Sequence, residues 1–168
     1  ARMWLSSVTT CVLRVFRRSN VYRALHQVYE ELAVYGTGAM IVDRDVNDVI
    51  HCHVLTAGQY YMACGPTGKV NTLYRTFRMS VSQMVKEFGY DACSATVQRL
   101  FDDGALDETR DIIHAIEPRS DRDTRRLDSK NLPWSSVYFE AGTGTDIVDV
   151  LRESGYRIFP VVAPRWNV

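Results

Sequence analysis

The hydrophobic period of this chain changes at Gly36, and that change limits the possible folds more than any other feature. Ahead of it, Val21, Leu25, Val28 and Leu32 recur at i, i+4, i+7 and i+11. That spacing is one stripe of a 3.6-residue repeat, flanked here by Tyr22, His26 and Tyr29. Met3, Trp4, Val8, Val12, Leu13 and Phe16 keep a near-helical spacing over residues 3–17. Ser19 and Asn20 break the pattern and suit the cap of the second helix. Gly36 can take the left-handed conformation that ends it. Beyond Gly36 the apolar residues come in short runs: Gly38–Val42, Val49–Leu55, Tyr60–Met62 and Val70–Phe77. Runs of that length, punctuated by Gly and Pro, read as antiparallel strands. Residues 60–64 and 69–77 are expected to pair across the Gly65-Pro66-Thr67-Gly68 turn.

Helical signals return once. Ser80 and Gln83 have capping-box spacing, and Met79 and Met84 are placed for a hydrophobic staple. Gly89 ends that helix, and a second short one is expected from about Ser94 to Phe101, before Asp102-Asp103-Gly104. Further strands are expected at 111–116, 135–139, 147–151 and 156–162. Helices followed by strands, without βαβ alternation, predict an α+β fold. It comprises two N-terminal helices over 1–36 and an antiparallel body over 37–168. That body is a small sheet or barrel-like, with a helical insert at about 80–103. The chain starts inside a helical pattern and stops at Arg165-Trp166-Asn167-Val168, straight after an apolar run. It is therefore expected to be a piece of a longer polypeptide.

Charge narrows the function. Twenty basic residues balance twenty acidic ones. A dedicated nucleic-acid binder draws affinity from a basic excess, and a polybasic membrane-surface protein needs one too. No apolar run approaches the roughly 18–20 residues of a membrane span. Arg14, Arg17 and Arg18 interrupt the N-terminal stretch, which is no signal peptide. Cys11, Cys52, Cys64 and Cys93 form no Cys-x-x-Cys pair and read as ordinary reduced thiols.

Motifs for chemistry are weak. Gly65 to Lys69 lacks the four-residue spacing of a phosphate-binding loop, and Val70 stands where Ser or Thr belongs. His51 and His53 share one face of a strand, with Cys52 between them and Cys64 on the next strand in sequence. A metal- or thiol-dependent enzyme would use these four residues, but zinc needs three or four converging ligands and no motif supplies them. Exposed or half-buried strand histidines are the favoured alternative. No nucleophile elbow, His-Glu-x-x-His helix or dinucleotide fingerprint is present. No cofactor, metal or catalytic residue is assigned, and a non-enzyme is expected. The run Arg119, Asp121, Arg122, Asp123, Arg125, Arg126 mixes both signs. It reads as an exposed loop or as a salt-bridging contact to a neighbouring subunit.

A collinear series of short stretches carries a resemblance. It runs through Ser19-Asn20-Val21-Tyr22, Gly36-Thr37-Gly38 and Gly58-Gln59-Tyr60-Tyr61-Met62-Ala63. Arg75-Thr76-Phe77-Arg78-Met79-Ser80 leads on to Gln83 and Glu87-Phe88-Gly89. Ile113-His114-Ala115-Ile116-Glu117-Pro118-Arg119 and Pro133-Trp134-Ser135-Ser136-Val137-Tyr138 follow. Glu153-Ser154-Gly155-Tyr156, Phe159-Pro160 and Pro164-Arg165-Trp166 close it. Together they resemble the head-to-tail connecting (portal) proteins of short-tailed bacteriophages and prophages. The resemblance implies a homo-oligomeric ring, usually a dodecamer, in the virion, assembled in the bacterial host cytoplasm. It implies capsid, scaffold, terminase and tail proteins as partners, and double-stranded DNA that passes without sequence-specific binding. No membrane and no catalytic residue are implied. This stretch would belong to the wing of the subunit. The other alternative is a generic protein-interaction module.

Overall fold

The computed structural model describes residues 2–126, 128–142 and 150–166. They form two compact units. One takes in residues up to Gly58 together with those from Pro160 onward; the other is Gln59–Phe159.

In the first unit, α1 (Arg2–Arg18) and α2 (Val21–Tyr35) precede β1 (Ala39–Asp45) and β2 (Val49–Leu55). A short β8 (Val161–Val162) completes a three-stranded antiparallel sheet in the order β2-β1-β8. Val21 and Val28 of the α2 stripe are buried with Ala24, Met40 and Cys52, and Leu25 packs against them half-buried. Gly36 ends α2 at φ 68°, its N–H donating to the Leu32 carbonyl. At Gly38 the chain passes close to α2: a Cβ there would stand 3.2 Å from the Val28 carbonyl oxygen, a tight contact.

Asn20 departs from expectation. It occupies the cap position of α2, yet its side chain makes no capping bond. Its Nδ2 donates to the Cys52 carbonyl at 2.7 Å, and its Oδ1 accepts from the Cys52 N–H at 2.8 Å. An amide carries a donor and an acceptor side by side, so it can engage both backbone groups of an edge-strand residue at once. The edge of β2 competes successfully with the helix N-terminus for this side chain.

The second unit is a five-stranded antiparallel sheet in the order β3-β4-β5-β6-β7. Its strands are β3 (Tyr60–Cys64), β4 (Val70–Ser80), β5 (Thr109–Pro118), β6 (Trp134–Glu140) and β7 (Val150–Tyr156). The β3–β4 hairpin turns at Gly65–Gly68 as expected, with the Gly68 N–H on the Gly65 carbonyl at 2.9 Å. The sheet is open, with β3 and β7 as its edges, so the barrel-like alternative does not hold. Between β4 and β5 stand α3 (Val81–Phe88) and α4 (Ala95–Asp102). The capping box of α3 is complete: Ser80 Oγ accepts from the Gln83 N–H, and Gln83 Oε1 accepts from the Ser80 N–H at 3.0 Å. Val81, Met84, Cys93 and Val97 pack with Ile112, Tyr138 and Leu151 in one core.

One further expectation changes. The strand expected over 156–162 is two strands in different sheets, because β7 ends at Tyr156 and β8 joins β1. Pro160, which has no N–H for a ladder, lies between them, and its carbonyl accepts from the Val42 N–H. Of the strand expected over 147–151, residues 147–149 lie outside the described residues; Val150 and Leu151 open β7. Gly155 sits inside β7. A Cβ there would come within 2.6 Å of the Trp134 carbonyl oxygen and 2.7 Å of that of Ser129. Close backbone approach, and not a turn, demands glycine here.

Candidate functional site

One row of side chains crosses the whole five-stranded sheet. Tyr60, Arg75, His114, Tyr138 and Arg152 stand in direct register on β3 to β7. His114 and Ser136 are each 1% exposed. The His114 Nε2 and Ser136 Oγ lie 2.9 Å apart, a separation that a serine hydrolase would use. The third partner reverses the chemistry. Arg75 Nε–H donates to His114 Nδ1 at 3.1 Å, so Nδ1 is the acceptor and the ring proton sits on Nε2. Nε2–H therefore donates to the Ser136 hydroxyl and has no lone pair to take its proton. A guanidinium stands where a triad needs a carboxylate. The pair is a buried structural hydrogen bond, not an activated nucleophile.

The row continues by stacking. The rings of His114 and Tyr138 are 3.9 Å apart and 8° from parallel. Arg152 Cζ lies 4.8 Å from the Tyr138 centroid, and its Nη1 donates to Glu87 Oε1 of α3 at 2.9 Å. The row thus ties the sheet to the helical insert.

The four residues of the metal or thiol alternative are divided between the two units. His51 and His53 lie beside one another on β2, ring centroids 4.5 Å apart. Cys52 alternates to the opposite, buried face and joins the core of α2 and β1. Cys64 is exposed on β3, in the other sheet. Among the described residues no three His, Cys, Asp or Glu side chains are grouped to hold a metal ion. Burial pushes the Cys52 thiol up; burial and then the charge of Glu140 push the Cys93 thiol up. Neither is primed as a thiolate nucleophile.

The charged run between β5 and β6 divides. Arg119, its side chain only 11% exposed, donates from Nη1 to Glu153 Oε1 at 2.8 Å, and Lys130 reaches the other oxygen at 3.6 Å. These two pin the base of the loop to β7. At the tip, Asp123 accepts from the Arg125 N–H at 3.0 Å, and Asn131 bonds both the Asp123 N–H and the Asp128 carboxylate. Asp121, Arg122, Asp123, Arg125 and Arg126 are exposed. The bracing by Asn131 was hidden in the sequence, where an Asn near Pro133 signals only a loop.

The described residues thus contain two open antiparallel sheets and a helical insert between β4 and β5. The family described as bacteriophage head to tail connecting protein matches residues 1–168, and the chain belongs to it. It is 53% identical over 165 residues, 98% of its length, to the "Probable portal protein" of Bordetella phage BPP-1. It is 43% identical over 167 residues, 99% of its length, to the "Portal protein" of Salmonella phage epsilon15. The chain spans 29% and 30% of the lengths of these two curated relatives. No helix among the described residues is long and apolar enough to cross a membrane.

Proposed function

We propose that this chain is a structural segment of a portal ring, a head–tail connector through which double-stranded DNA is packaged into and ejected from a phage head. The observation that carries this is the family match over every residue of the chain, shared with two relatives named portal proteins. In this reading the full-length protein is a homo-oligomeric ring, a dodecamer, built into the virion after assembly in the bacterial cytoplasm. Capsid, scaffold, terminase and tail proteins are its partners. The zero net charge suits a conduit, because DNA that must slide past should meet no strong basic surface. The segment performs no chemistry, in keeping with a Ser136–His114 pair that lacks a base. Electron microscopy and mass photometry of the full-length gene product test the reading. Closed rings are expected, whereas monomers alone across micromolar concentrations would overturn it.

A further inference from the structure

The helix α1 carries an apolar face that the described residues leave open. None of its residues is buried, and exposure along the face runs from 39% at Val8 to 67% at Trp4. Phe16, near the end of α1, packs half-buried against the core of Val21, Ala24 and Val28. The open residues are ordered. Trp4, Val8, Cys11 and Val15 follow one another at spacings of four, three and four, and Leu5 and Val12 stand one position after Trp4 and Cys11. On a helix these six share one side. Theirs is the wide stripe of a helix that packs against others, beyond a bare two-stranded seam. Met3 and Leu13 fall outside it, and Arg2, Ser6, Thr10 and Arg17 form the opposite side.

Such a helix gains little from its own residues. Residues 2–18 include Arg2, Arg14, Arg17 and Arg18 and no acidic side chain, so no i,i+4 ion pair supports it. A lone helix of about 15 residues is marginal in water, and most helical stability in proteins comes from packing an amphipathic face. The α1 stripe therefore needs a cover.

We infer, on the portal reading above, that the cover is an apolar-faced helix of the same polypeptide, from outside residues 1–168. Two observations select this occupant. The chain spans 29% and 30% of its two curated relatives, so most of a polypeptide of that length lies elsewhere and can supply the helix. The stripe is also small for a contact between separate chains. A helix of 17 residues is about 25 Å long, with a face about 10 Å wide, or roughly 250 Å² in projection. A stable contact between separate chains covers about 800 Å² on each. Packing within one polypeptide needs no such area, because no second molecule has to be immobilised.

Cys11 lies in the stripe and is exposed in residues 1–168, so its thiol reports on the cover. The test is pulse alkylation of the unaltered full-length protein with iodoacetamide, with Cys11 quantified by peptide mass spectrometry. Rings, monomers at nanomolar dilution and protein unfolded in urea are compared. In both native forms Cys11 is expected to react at least about tenfold more slowly than in the unfolded protein, because a thiol under a packed helix is out of reach. Reaction at the unfolded rate would overturn the inference. So would protection confined to rings, which makes a second copy the cover. Protection that appears only with anionic phospholipid vesicles would overturn it too, since α1 would then be an interfacial anchor. A product that forms no ring would instead overturn the portal reading, and slow Cys11 in its monomers would still support the cover.

Discussion

The imidazole of His114 lies flat on the phenol ring of Tyr138, centroids 3.9 Å apart, with the Arg152 guanidinium 4.8 Å from the same Tyr138 ring. Tyr138 is also part of the apolar core, tilted against Phe88 at 5.5 Å. Its ring joins the polar row to the apolar core. Tyr138→Ala should destabilise the chain by about 3 kcal/mol, the usual cost of emptying a buried aromatic site. Tyr138→Phe keeps the stack and the packing, and should cost well under half as much. Urea unfolding midpoints of the two variants decide the point.

Ser136 gives a chemical test. Its hydroxyl accepts a hydrogen bond from His114 and is not activated, so serine-directed fluorophosphonates should leave the folded chain unlabelled. Ser136→Ala should abolish no activity, but it strands the buried His114 Nε2–H and should cost about 1–3 kcal/mol. Stoichiometric labelling at Ser136, read by intact-protein mass spectrometry, would contradict the tautomer assigned from Arg75.

Asn20 separates two roles that look alike in sequence. If it were only a helix cap, Asn20→Ser would be nearly silent, because serine caps about as well. The two bonds to the Cys52 backbone predict otherwise. Serine cannot hold both groups, so Asn20→Ser should lose about 1–2 kcal/mol, close to the effect of Asn20→Ala. Thermal unfolding of the three proteins side by side is the measurement.

The cysteines should fall into two classes. Cys11 and Cys64 are exposed; Cys52 and Cys93 are buried. Burial disfavours the thiolate, and both buried thiols are raised above their ordinary value. At pH 8 each therefore holds less thiolate than a free thiol, and both stay covered as the pH rises. Titration of the native chain with an aromatic disulfide reagent should show two fast thiols, with Cys52 and Cys93 following only on unfolding.

Gly155→Ala should be the most damaging single methyl. Its Cβ would meet two carbonyl oxygens of the backbone, at Trp134 and Ser129, and backbone cannot rotate away as a side chain can. A loss of about 1–3 kcal/mol is expected, against near neutrality for alanine at a strand glycine with free space. Denaturant titration of this variant measures it.

What could be read in the sequence was local. The α2 stripe, the Gly36 stop, the Ser80–Gln83 box and the Gly65–Gly68 hairpin each depend on residues within a turn or two of one another, and each is present. The long-range features were not legible. Arg75, His114, Tyr138 and Arg152 meet because four strands pair in one register, and nothing in their spacing announces it. Asn20 had two uses open to it, and only the position of β2 decides between them. Gly155 sits beside Trp134 and Ser129, more than twenty positions away, so its sequence neighbours do not announce the close approach. The charged run was visible as a loop, but its division into anchors and tip required Glu153 and Asn131 to be in place.

The strand order β2-β1-β8 has a consequence for how the chain folds. Val161 and Val162 pair with Ile41 and Met40, residues some 120 positions earlier, while β2 pairs with β1 through a tight turn. Closing so long a loop in an unfolded chain costs roughly 4 kcal/mol of entropy, far more than a two-residue strand returns. Folding of residues 59–159 shortens that loop before β8 must find its place. The two-residue β8 is therefore expected to join its sheet only after the intervening chain has folded.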